Sequence, residues 1–420
     1  MDIEYSLKEK IACLDIIKEL KKSPIRGNVY LVGGSIRELF LCSQPNDFDF
    51  AITDEKDIKV FEEILNSRAF IIGKKPIHAF RIAKDGKNID LTKIEKDITD
   101  DLLRRDFTIN AIAYDLKRDE ILDPLNGLVD LKEKIIIHIK KENLIKDPLR
   151  MLKAVRHFST LDGFIIHDNL YTCICELGHL IKNVASERIK YEFDQIVCSR
   201  QAFSSLKVME TTGLLFEIFP ELIMLKRFDE EKRLKPEVFG HTIDAFKYLY
   251  QYGNRYQMDK QSIKITGYAL LFHDLGKPQT FSYDREKKVV HFFYHERFSE
   301  KTASLIMERM RFSINEMRQV KTLIQNHMRI FLISAGETTQ RAIRRVILKM
   351  GEFTPLLILM TLCDMYGSSE GKDNASTKKV LCVCEEMLST FKRFQEKPLP
   401  RLITGHDLIE IGYKEGPEIG

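Results

Sequence analysis

The sequence predicts an α/β domain followed by a long, mostly helical section. Short β-rich runs mix with helical segments up to about residue 139, whereas strand signals nearly vanish from Leu144 onward. The chain has 420 residues, too many for one ordinary core, so its length also favours two or three domains. We therefore divide it into a head with a mixed β-sheet, residues 1–139, a helical neck, residues 140–235, and a final helical domain, residues 236–420.

The predicted sheet of the head rests on a set of short β-rich runs. These runs are Val29–Val32, Phe48–Ile52, Phe80–Ala83, Ile89–Ile94, Ala111–Asp115 and Ile135–Ile139. Asp57–Asn66 is the clearest helical segment among them. The sequence ends with GPEIG, a pattern typical of the start of a helix, so we expect a truncated C-terminus.

Composition excludes several classes of protein. The sequence is 44% hydrophobic and 30% charged, and no apolar run reaches the roughly 18 residues of a membrane span. The N-terminal residues lack the apolar core of a signal peptide, so we expect a cytoplasmic protein without a membrane partner. The close pairs Cys173 with Cys175 and Cys382 with Cys384 lack a matching second pair, which favours reduced core thiols over zinc. The oligomeric state stays open.

A glycine pair follows the first predicted strand. Gly33 and Gly34 allow a tight turn with close backbone approach, and Ser35 can cap the helix that follows. The exposed N–H groups of a helix N-terminus bind anions, and Arg37 in the first turn adds a positive charge for a phosphate. Glycine pairs also occur in ordinary turns, so this pair alone is weak evidence of a phosphate site.

Paired aspartates lie in the second predicted strand. Asp47 and Asp49 are spaced by two, which projects both carboxylates from one face. Between Phe48 and Phe50 they would repel each other unless a cation joins them. Asp90 offers a third carboxylate, and such a cluster suits Mg²⁺ in two-metal phosphoryl transfer. The alternative is a surface strand in which Asp and Phe alternate.

A basic cluster lies at the start of the neck. Its members are Lys140, Lys141, Lys146, Arg150, Lys153, Arg156 and His157. Alone, such a cluster indicates a solvated helix face. Asp147 and Arg150 are three residues apart on one helix face, so they present an acceptor and a planar donor fork side by side. Asp147 can also be an N-cap before Pro148, and both roles can hold together.

Four segments together resemble one family. GGSIREL, DFDF, LLRRDFTINAIAYD (102–115) and KDPLRMLKAVRHF (146–158) resemble the signature of the class II tRNA nucleotidyltransferases and bacterial poly(A) polymerases, within the polymerase β superfamily. The resemblance covers nearly the whole chain and implies an α/β nucleotidyltransferase head followed by mostly α-helical RNA-binding and HD domains. It also implies transfer of nucleotides from CTP or ATP to a tRNA 3′ end, with release of pyrophosphate and Mg²⁺ as cofactor.

The resemblance implies a role for each matching residue. Asp47 and Asp49 match the aspartates that bind the catalytic metals, and Asp90 stands where a third acidic residue usually lies. The other matches imply a triphosphate turn, a segment that holds the sugar and phosphates, and a helix that reads the base. These nucleotide-binding residues are Gly33, Gly34, Arg37, Arg105, Asp106, Asn110, Asp147, Arg150, Lys153 and Arg156.

The chain departs from the family pattern in two respects. Glu38 stands where the family usually has Asp, Lys146 where it often has Glu, and Lys153 where it often has Arg. The changes at Lys146 and Lys153 bear on base reading. Only Glu95–Asp101 separates DLTKI from LLRRDF, where members that add the terminal A usually carry a long flexible loop. In the family a shortened loop is associated with enzymes that add CC and stop. We therefore expect CC addition, with CCA addition, A addition and poly(A) synthesis as alternatives.

The final domain contains a second set of metal-ligand residues, which resembles an HD domain. The ordered set is His241, His273, Asp274 and Asp364. A lone histidine on an apolar helix is usually a core residue, but the ordered set implies a divalent cation: Mg, Mn, Ni or Fe. His295 and His327 would complete a second metal site. Such domains hydrolyse phosphoesters or persist as scaffolds, so an HD phosphohydrolase with an RNA-binding head is a further alternative.

Overall fold

The computed structural model describes residues 3–74, 77–95, 97–232, 237–369, 371–396 and 405–412. The chain forms two compact units, Met1–Pro220 and Glu221–Gly420. The predicted head and most of the predicted neck fall in the first unit, and the division into three domains stays a prediction. The predicted boundary at residue 235 and the closing GPEIG lie outside the described residues.

A seven-stranded mixed sheet lies in the first unit, counted over the described residues. Its strands are β1 (Val29–Val32), β2 (Asp47–Ile52), β3 (Phe70–Lys74), β4 (Ile77–Lys84), β5 (Lys87–Lys93), β6 (Ala113–Asp115) and β7 (Glu120–Leu122). Their order is β3-β4-β5-β2-β1-β6-β7. Neighbouring strands are antiparallel except β2 and β5, which are parallel and pair Asp49 with Asp90. This register places two of the predicted carboxylates on adjacent central strands.

Helices pack on this sheet and on one another. Those of the first unit are α1 (Ile3–Ala12), α2 (Asp15–Lys22), α3 (Gly34–Phe40), α4 (Ile58–Leu65), α5 (Ile98–Leu103), α6 (Gly127–Glu133), α7 (Lys141–Lys146), α8 (Leu149–Thr160), α9 (Asp168–Leu177), α10 (Ser186–Val197), α11 (Ala202–Thr211) and α12 (Leu214–Ile218). α3 packs on β1 and β2, and α8 packs on α10 and α11. Two short strands, β8 (Ile135–Ile136) and β9 (Ile165–Ile166), pair in parallel.

The second unit is helical apart from one hairpin, within its described residues. Its helices are α13 (Leu222–Lys232), α14 (Val238–Asp244), α15 (Phe246–Arg255), α16 (Lys260–Phe272), α17 (Lys277–Thr280), α18 (His295–Arg309), α19 (Ile314–Asn326), α20 (Met328–Ala335), α21 (Gln340–Met350), α22 (Thr354–Ser368), α23 (Ala375–Glu396) and α24 (Gly405–Glu410). The hairpin consists of β10 (Phe281–Asp284) and β11 (Val289–Phe292). α22 is buried along most of its length and packs on α14, α15, α16 and α23.

One apolar helical stretch passes a length and composition test for a membrane span. Among the described residues it is Gln340–Ser368, with a mean hydropathy of 1.7 in its apolar window. Of that window, 72% is buried inside the protein, as in a core helix. A single stretch of this kind is weak evidence for a membrane protein.

The structure confirms the predicted fold class and corrects individual elements. The strand predicted over Ala111–Asp115 begins only at Ala113, because Thr108–Asn110 forms a 3₁₀ turn. The strand predicted over Ile135–Ile139 ends at Ile136. β3 and β7 have no predicted counterpart: they are the edge strands of the sheet, where less apolar surface is buried than at its centre.

The cysteines are free thiols, and the prediction that the close pairs are core thiols is wrong for one member of each pair. Within the close pairs, Cys173 and Cys384 are buried, whereas Cys175 and Cys382 are exposed. Among the described residues, neither candidate metal-binding group includes a cysteine.

Candidate active site

The turn at the start of α3 requires glycine. Gly33 is the N-cap residue, and its φ of 74° lies in the left-handed region. A Cβ atom on Gly33 would lie 2.8 Å from Arg105 Nη1 and 3.0 Å from Asp49 Oδ2. The prediction that Ser35 caps α3 is wrong, because Ser35 lies inside the helix. Its hydroxyl instead donates to Asp47 O at 3.1 Å and accepts from Asp49 N at 3.2 Å, which fixes α3 to β2.

The paired aspartates share one face of β2. Asp47 is exposed and accepts a hydrogen bond from Asn88 Nδ2 at 2.9 Å, whereas Asp49 is half-buried. Burial raises the pKa of Asp49, the neighbouring carboxylates add to this rise, and Arg105 opposes it. Among the described residues, no side-chain donor bonds to the Asp49 carboxylate. These two carboxylates therefore fit a hard cation that takes oxygen ligands.

Asp90 lies beside Asp49 but has a partner of its own. The two residues are register partners on β2 and β5. Arg81, the register partner of Asp90 on β4, donates from Nε to Asp90 Oδ1 and from Nη2 to Oδ2, both at 2.7 Å. Both oxygens of the third carboxylate are therefore engaged by one guanidinium.

A buried polar chain connects α3 to the 3₁₀ turn that ends at Asn110. Arg37 Nη1 donates to Asn110 Oδ1, and Asn110 Nδ2 donates to Asp106 Oδ1 at 2.9 Å. Burial alone would raise the pKa of Asp106, but Lys153 and the Asn110 hydrogen bond outweigh it and lower the pKa. Arg37 is buried, which lowers its pKa, and its Nε has no hydrogen-bond partner among the described residues. An unsatisfied cationic donor is thus held beside an ionised carboxylate.

The start of α8 differs from the prediction for Asp147. Pro148 is the N-cap residue, and the Asp147 side chain makes no capping bond, so the N-cap prediction is wrong. Asp147 closes α7 with φ of −134° and ψ of 88°, a non-helical backbone. Its Oδ2 accepts a hydrogen bond from Arg188 Nη2 at 3.2 Å. Arg150 Nη1 donates to Arg105 O at 2.9 Å, which joins α8 to the RRDF segment.

One cleft of about 340 Å³ collects these side chains. It is lined by Gly33, Gly34, Arg37, Asp49, Arg105, Asp106, Asn110, Asp147, Arg150, Lys153, Arg156 and His157. Every predicted nucleotide-binding residue lines the cleft, whereas Asp47 and Asp90 do not. The lining has five Arg or Lys side chains against three Asp side chains, and this excess of basic groups suits a nucleoside triphosphate.

His157 is a cleft residue that the sequence pattern placed only in the basic cluster. Burial lowers its pKa well below the usual value, and Arg156, Arg37 and Lys153 lower it further. The ring is therefore neutral near pH 7, and it packs edge-on against Phe107 at a centroid distance of 5.6 Å. Its position one turn after Lys153 on α8 is the sequence signal that places it at the cleft.

A second cluster lies in the second unit, at α14, α16, α18, α19 and α22. Its buried members are His241, His273, Asp274, His295, His327 and Asp364. His241 Nε2 is 2.8 Å from Asp274 Oδ2, and His295 Nε2 is 3.5 Å from Asp274 Oδ1. His273 Nε2 is 3.4 Å from Asp364 Oδ1. The structure thus brings the predicted HD residues together, with His295 and His327 beside them.

Every imidazole in this cluster uses Nδ1 for a backbone contact. The Nδ1 atoms lie between 2.7 and 2.9 Å from carbonyl oxygens three or four residues earlier in the chain. Those oxygens belong to Glu237, Leu270, Phe292 and Ile324. Because a carbonyl only accepts, Nδ1 carries the hydrogen, and Nε2 of the neutral ring presents a lone pair. This is the form in which histidine ligates a metal.

The inner atoms of the cluster lack aligned partners. His273 Nε2 and both Asp274 oxygens are buried without a hydrogen bond among the described residues, although charged neighbours lie close. His295 Nε2 and His327 Nε2 are 3.1 Å apart, so two lone pairs face each other. Burial would lower the pKa of His273, but Asp274 and Asp364 outweigh it and raise it to about 10. A site of this charge and donor set fits divalent cations.

The cluster divides into two groups whose ligand atoms can share a cation. The first is His241, His273 and Asp364, and the second is Asp274, His295 and His327. Within each group the ligand atoms lie within 4.8 Å of one another. Asp274 also contacts the first group through Oδ2, so it lies between the two groups.

A mixed-sheet head with paired aspartates and a basic cleft, followed in one chain by an HD-type cluster, defines a nucleotidyltransferase of the poly A polymerase class. Three families match in this order. The poly A polymerase head domain matches residues 29–137, the probable RNA and SrmB-binding site of polymerase A matches residues 163–225, and the HD domain matches residues 238–367. The chain belongs to the family of tRNA nucleotidyltransferases and bacterial poly(A) polymerases.

The chain is similar to relatives of different product specificity. It is 27% identical over 403 residues to the CC-adding tRNA nucleotidyltransferase of Thermus thermophilus, covering 94% of this chain and 87% of the relative. It is 25% identical over 406 residues to the A-adding tRNA nucleotidyltransferase of Deinococcus radiodurans, covering 94% and 90%. A multifunctional CCA protein of Xanthomonas campestris is 26% identical over 344 residues, covering 77% and 80%.

Solved structures share the fold. The Thermotoga maritima CCA-adding enzyme complexed with tRNA superposes with a TM-score of 0.66 at 17% identity, covering 100% of this chain and 92% of that chain. A CCA-adding enzyme in complex with ATP gives a TM-score of 0.67 at 18% identity, covering 100% and 90%. These likenesses support the assigned fold.

Proposed function

We propose that this nucleotidyltransferase adds C to the 3′ end of tRNA in the cytoplasm without a nucleic-acid template. The observation that carries the proposal is the convergence of all the predicted nucleotide-binding residues on one cleft beside Asp49. CTP is the proposed nucleotide, with ATP as the substrate of the alternatives. The tRNA relatives and the basic residues of α8 support an RNA partner.

Different residues of the cleft would bind different parts of the nucleotide. The turn at Gly33 and Gly34 exposes N–H groups at the start of α3, and Arg37 adds a cation for the triphosphate. Asp47 and Asp49 would hold Mg²⁺, which would favour ionisation of the attacking hydroxyl and neutralise charge on the leaving pyrophosphate. The RNA 3′-hydroxyl oxygen bonds to the α-phosphorus, the bond from this phosphorus to the bridging oxygen breaks, and pyrophosphate leaves.

The segment after α5 and the start of α8 would hold the nucleoside. Arg105, Asp106 and Asn110 form a connected wall that suits the sugar and phosphates. Asp147 offers a carboxylate and Arg150 a guanidinium to the base edge, so protein groups take the place of a template. Positioning and charge neutralisation account for the reaction, and no protein nucleophile is required.

CC is the proposed product. The support is the short segment Glu95–Asp101, in which α5 already begins at Ile98. The relatives comprise CC-adding, A-adding and multifunctional CCA proteins, so their names do not select one product. Addition of A or CCA and synthesis of poly(A) are the competing products.

A second proposed activity is phosphoester hydrolysis at the HD cluster. The observation that favours it is the pair of buried Asp274 oxygens without aligned hydrogen bonds, between two groups of ligand atoms. The imidazole-rich donor set suits Mn, Ni or Fe as well as Mg. Bound cations would supply a charge that polarises the phosphoester and the attacking water.

One experiment tests both assignments. CMP transfer from labelled CTP to a tRNA transcript that lacks CCA is measured beside hydrolysis of a nucleoside 2′,3′-cyclic phosphate. Asp49→Ala should lower transfer by about 1,000-fold or more and spare hydrolysis, because it removes a cation ligand of the head alone. Asp274→Ala should lower hydrolysis and spare transfer. Normal transfer by Asp49→Ala would contradict the active-site assignment.

A further inference from the structure

We propose that Arg81 withdraws Asp90 from the cation-binding set, so that Asp47 and Asp49 alone hold the cation of the transferase site. Asp90 then acts as a positioning residue for Arg81. This inference rests on the proposed function, and it departs from the expectation of three catalytic carboxylates.

The first support is the geometry of the pair. Arg81 and Asp90 form two parallel N–H···O bonds of 2.7 Å, one to each carboxylate oxygen. Bidentate, charge-assisted bonds of this kind are among the strongest hydrogen bonds in proteins. A cation that took Asp90 as a ligand would have to displace one arm of this fork and approach a fixed positive charge.

The second support is the sheet register, which makes the pair a built feature of the strands. Arg81 and Asp90 are register partners on β4 and β5, and Asp90 is the register partner of Asp49 on β2. Register partners project from the same face of a sheet, so all three side chains belong to one row. The Arg81 side chain is 35% exposed and that of Asp90 is 21% exposed, so solvent screens the pair only in part.

The third support is the electrostatic balance of the row. Asp49 is half-buried, and Asp47 is exposed on the same face of β2. With Arg81 in place, the negative charge of Asp90 is cancelled locally, and the remaining unpaired charge is that of Asp47 and Asp49. The site should therefore bind a divalent cation more weakly than a free three-carboxylate cluster would.

Mn²⁺ binding to the full chain tests the proposal, with free Mn²⁺ followed by electron paramagnetic resonance. A background with Asp274→Asn and Asp364→Asn removes a carboxylate ligand from each HD group, so Mn²⁺ binding there is weakened. Asp90→Asn should weaken Mn²⁺ binding by less than about fivefold, because it removes no ligand and only leaves the partly solvent-screened charge of Arg81 unpaired. Arg81→Met should tighten binding by about tenfold, because it frees Asp90 as a further ligand. The double variant Arg81→Met with Asp90→Asn should return to within about twofold of the background protein.

The controls separate this proposal from the proposed function. Asp49→Asn in the same background should weaken Mn²⁺ binding by about tenfold or more, and a failure there would refute the cation site itself. Arg81→Lys keeps the charge and should leave the dissociation constant near that of the background protein. If Arg81→Met lowers the unfolding temperature, the comparison of Asp90→Asn with the background protein still decides whether Asp90 is a cation ligand. The proposal is overturned if Asp90→Asn loses tenfold or more of the affinity for Mn²⁺. It is also overturned if a folded Arg81→Met variant binds Mn²⁺ no more tightly than the background protein.

Discussion

At the residue scale, the cleft depends on atoms that only particular side chains allow. Gly33 combines a left-handed backbone with contacts that a Cβ atom would violate, at 2.8 Å from Arg105 and 3.0 Å from Asp49. Asn110 accepts from Arg37 and donates to Asp106, so an amide that both accepts and donates is needed at this position. These demands explain why the GGSIREL and RRDFTIN segments are chemically restricted.

Replacement of Gly33 should damage the cleft more than a comparable strained glycine elsewhere. Gly33→Ala is expected to lower kcat/KM for CTP by about 100-fold, because Arg105 and Asp49 must move from the nucleotide. Gly86 is the matched control: its φ is +76°, and a Cβ there meets nothing within 4 Å. Gly86→Ala should therefore lose stability but keep kcat/KM. Equal kinetic losses in the two variants would show that backbone strain alone is responsible.

The half-buried carboxylate of Asp49 should destabilise the protein at high pH. Its pKa is raised in the folded protein, mainly by burial, so the unfolded chain loses this proton first. Folding stability from this group is therefore retained at low pH and falls as pH rises from the unfolded pKa through the folded pKa.

Asp49→Asn should remove this pH dependence. In the presence of EDTA its unfolding temperature should exceed that of the wild-type protein by about 2–4 °C near pH 8 and match it near pH 4. Asp162→Asn, an exposed aspartate, is the control and should show no pH-dependent gain. Calorimetry at both pH values gives the comparison. A lower unfolding temperature for Asp49→Asn near pH 8 would contradict the account.

At the element scale, periodicity predicted most central strands, the helical segment around α4 and the helical character of the chain after Leu144, because these parts bury alternating or helical apolar faces. β1, β2, β4 and β5 were predicted; β2 carries the paired aspartates, and β1 and β5 flank it. The edge strands β3 and β7 and the β10–β11 hairpin were missed, since long-range pairing partners rather than local pattern define them. Arg81 and Arg188 were missed for the same reason. The β4–β5 register brings Arg81 to Asp90, and the packing of α10 near the end of α7 brings Arg188 to Asp147.

The helices α18 and α19 supply a second group of ligands to the HD cluster. This second group should raise the number of metal ions bound per chain. In an Asp49→Ala background, Ni²⁺ titration should give about two ions per chain, because imidazole nitrogens suit Ni²⁺. His327→Asn should reduce this to about one ion, since it breaks the group with Asp274 and His295.

His179, an exposed residue, provides the control for this stoichiometry. His179→Asn should leave about two ions bound by the cluster residues, as expected for a side chain outside the ligand groups. Chelation should lower the unfolding temperature of the wild-type protein, because cations that bind only the folded state stabilise it. Two ions bound after His327→Asn would contradict the second group.

At the scale of the whole molecule, one chain combines a transferase head and an HD cluster with different ligand chemistry. The head offers oxygen ligands and a basic cleft, whereas the HD cluster offers imidazole nitrogens and two buried aspartates. The resemblance read from the sequence identified the family and predicted both sites. It could not decide the product, because CC-adding, A-adding and multifunctional CCA proteins are all similar to this chain.

A product assay tests CC addition itself. Three tRNA transcripts, ending before CCA, after C and after CC, are extended with CTP, ATP or both and resolved to single nucleotides. CC addition predicts two added nucleotides on the first transcript with CTP, and no addition of A to the transcript that ends in CC. Efficient A addition to the CC end, or a long ladder of A on any RNA, would contradict CC addition as the product.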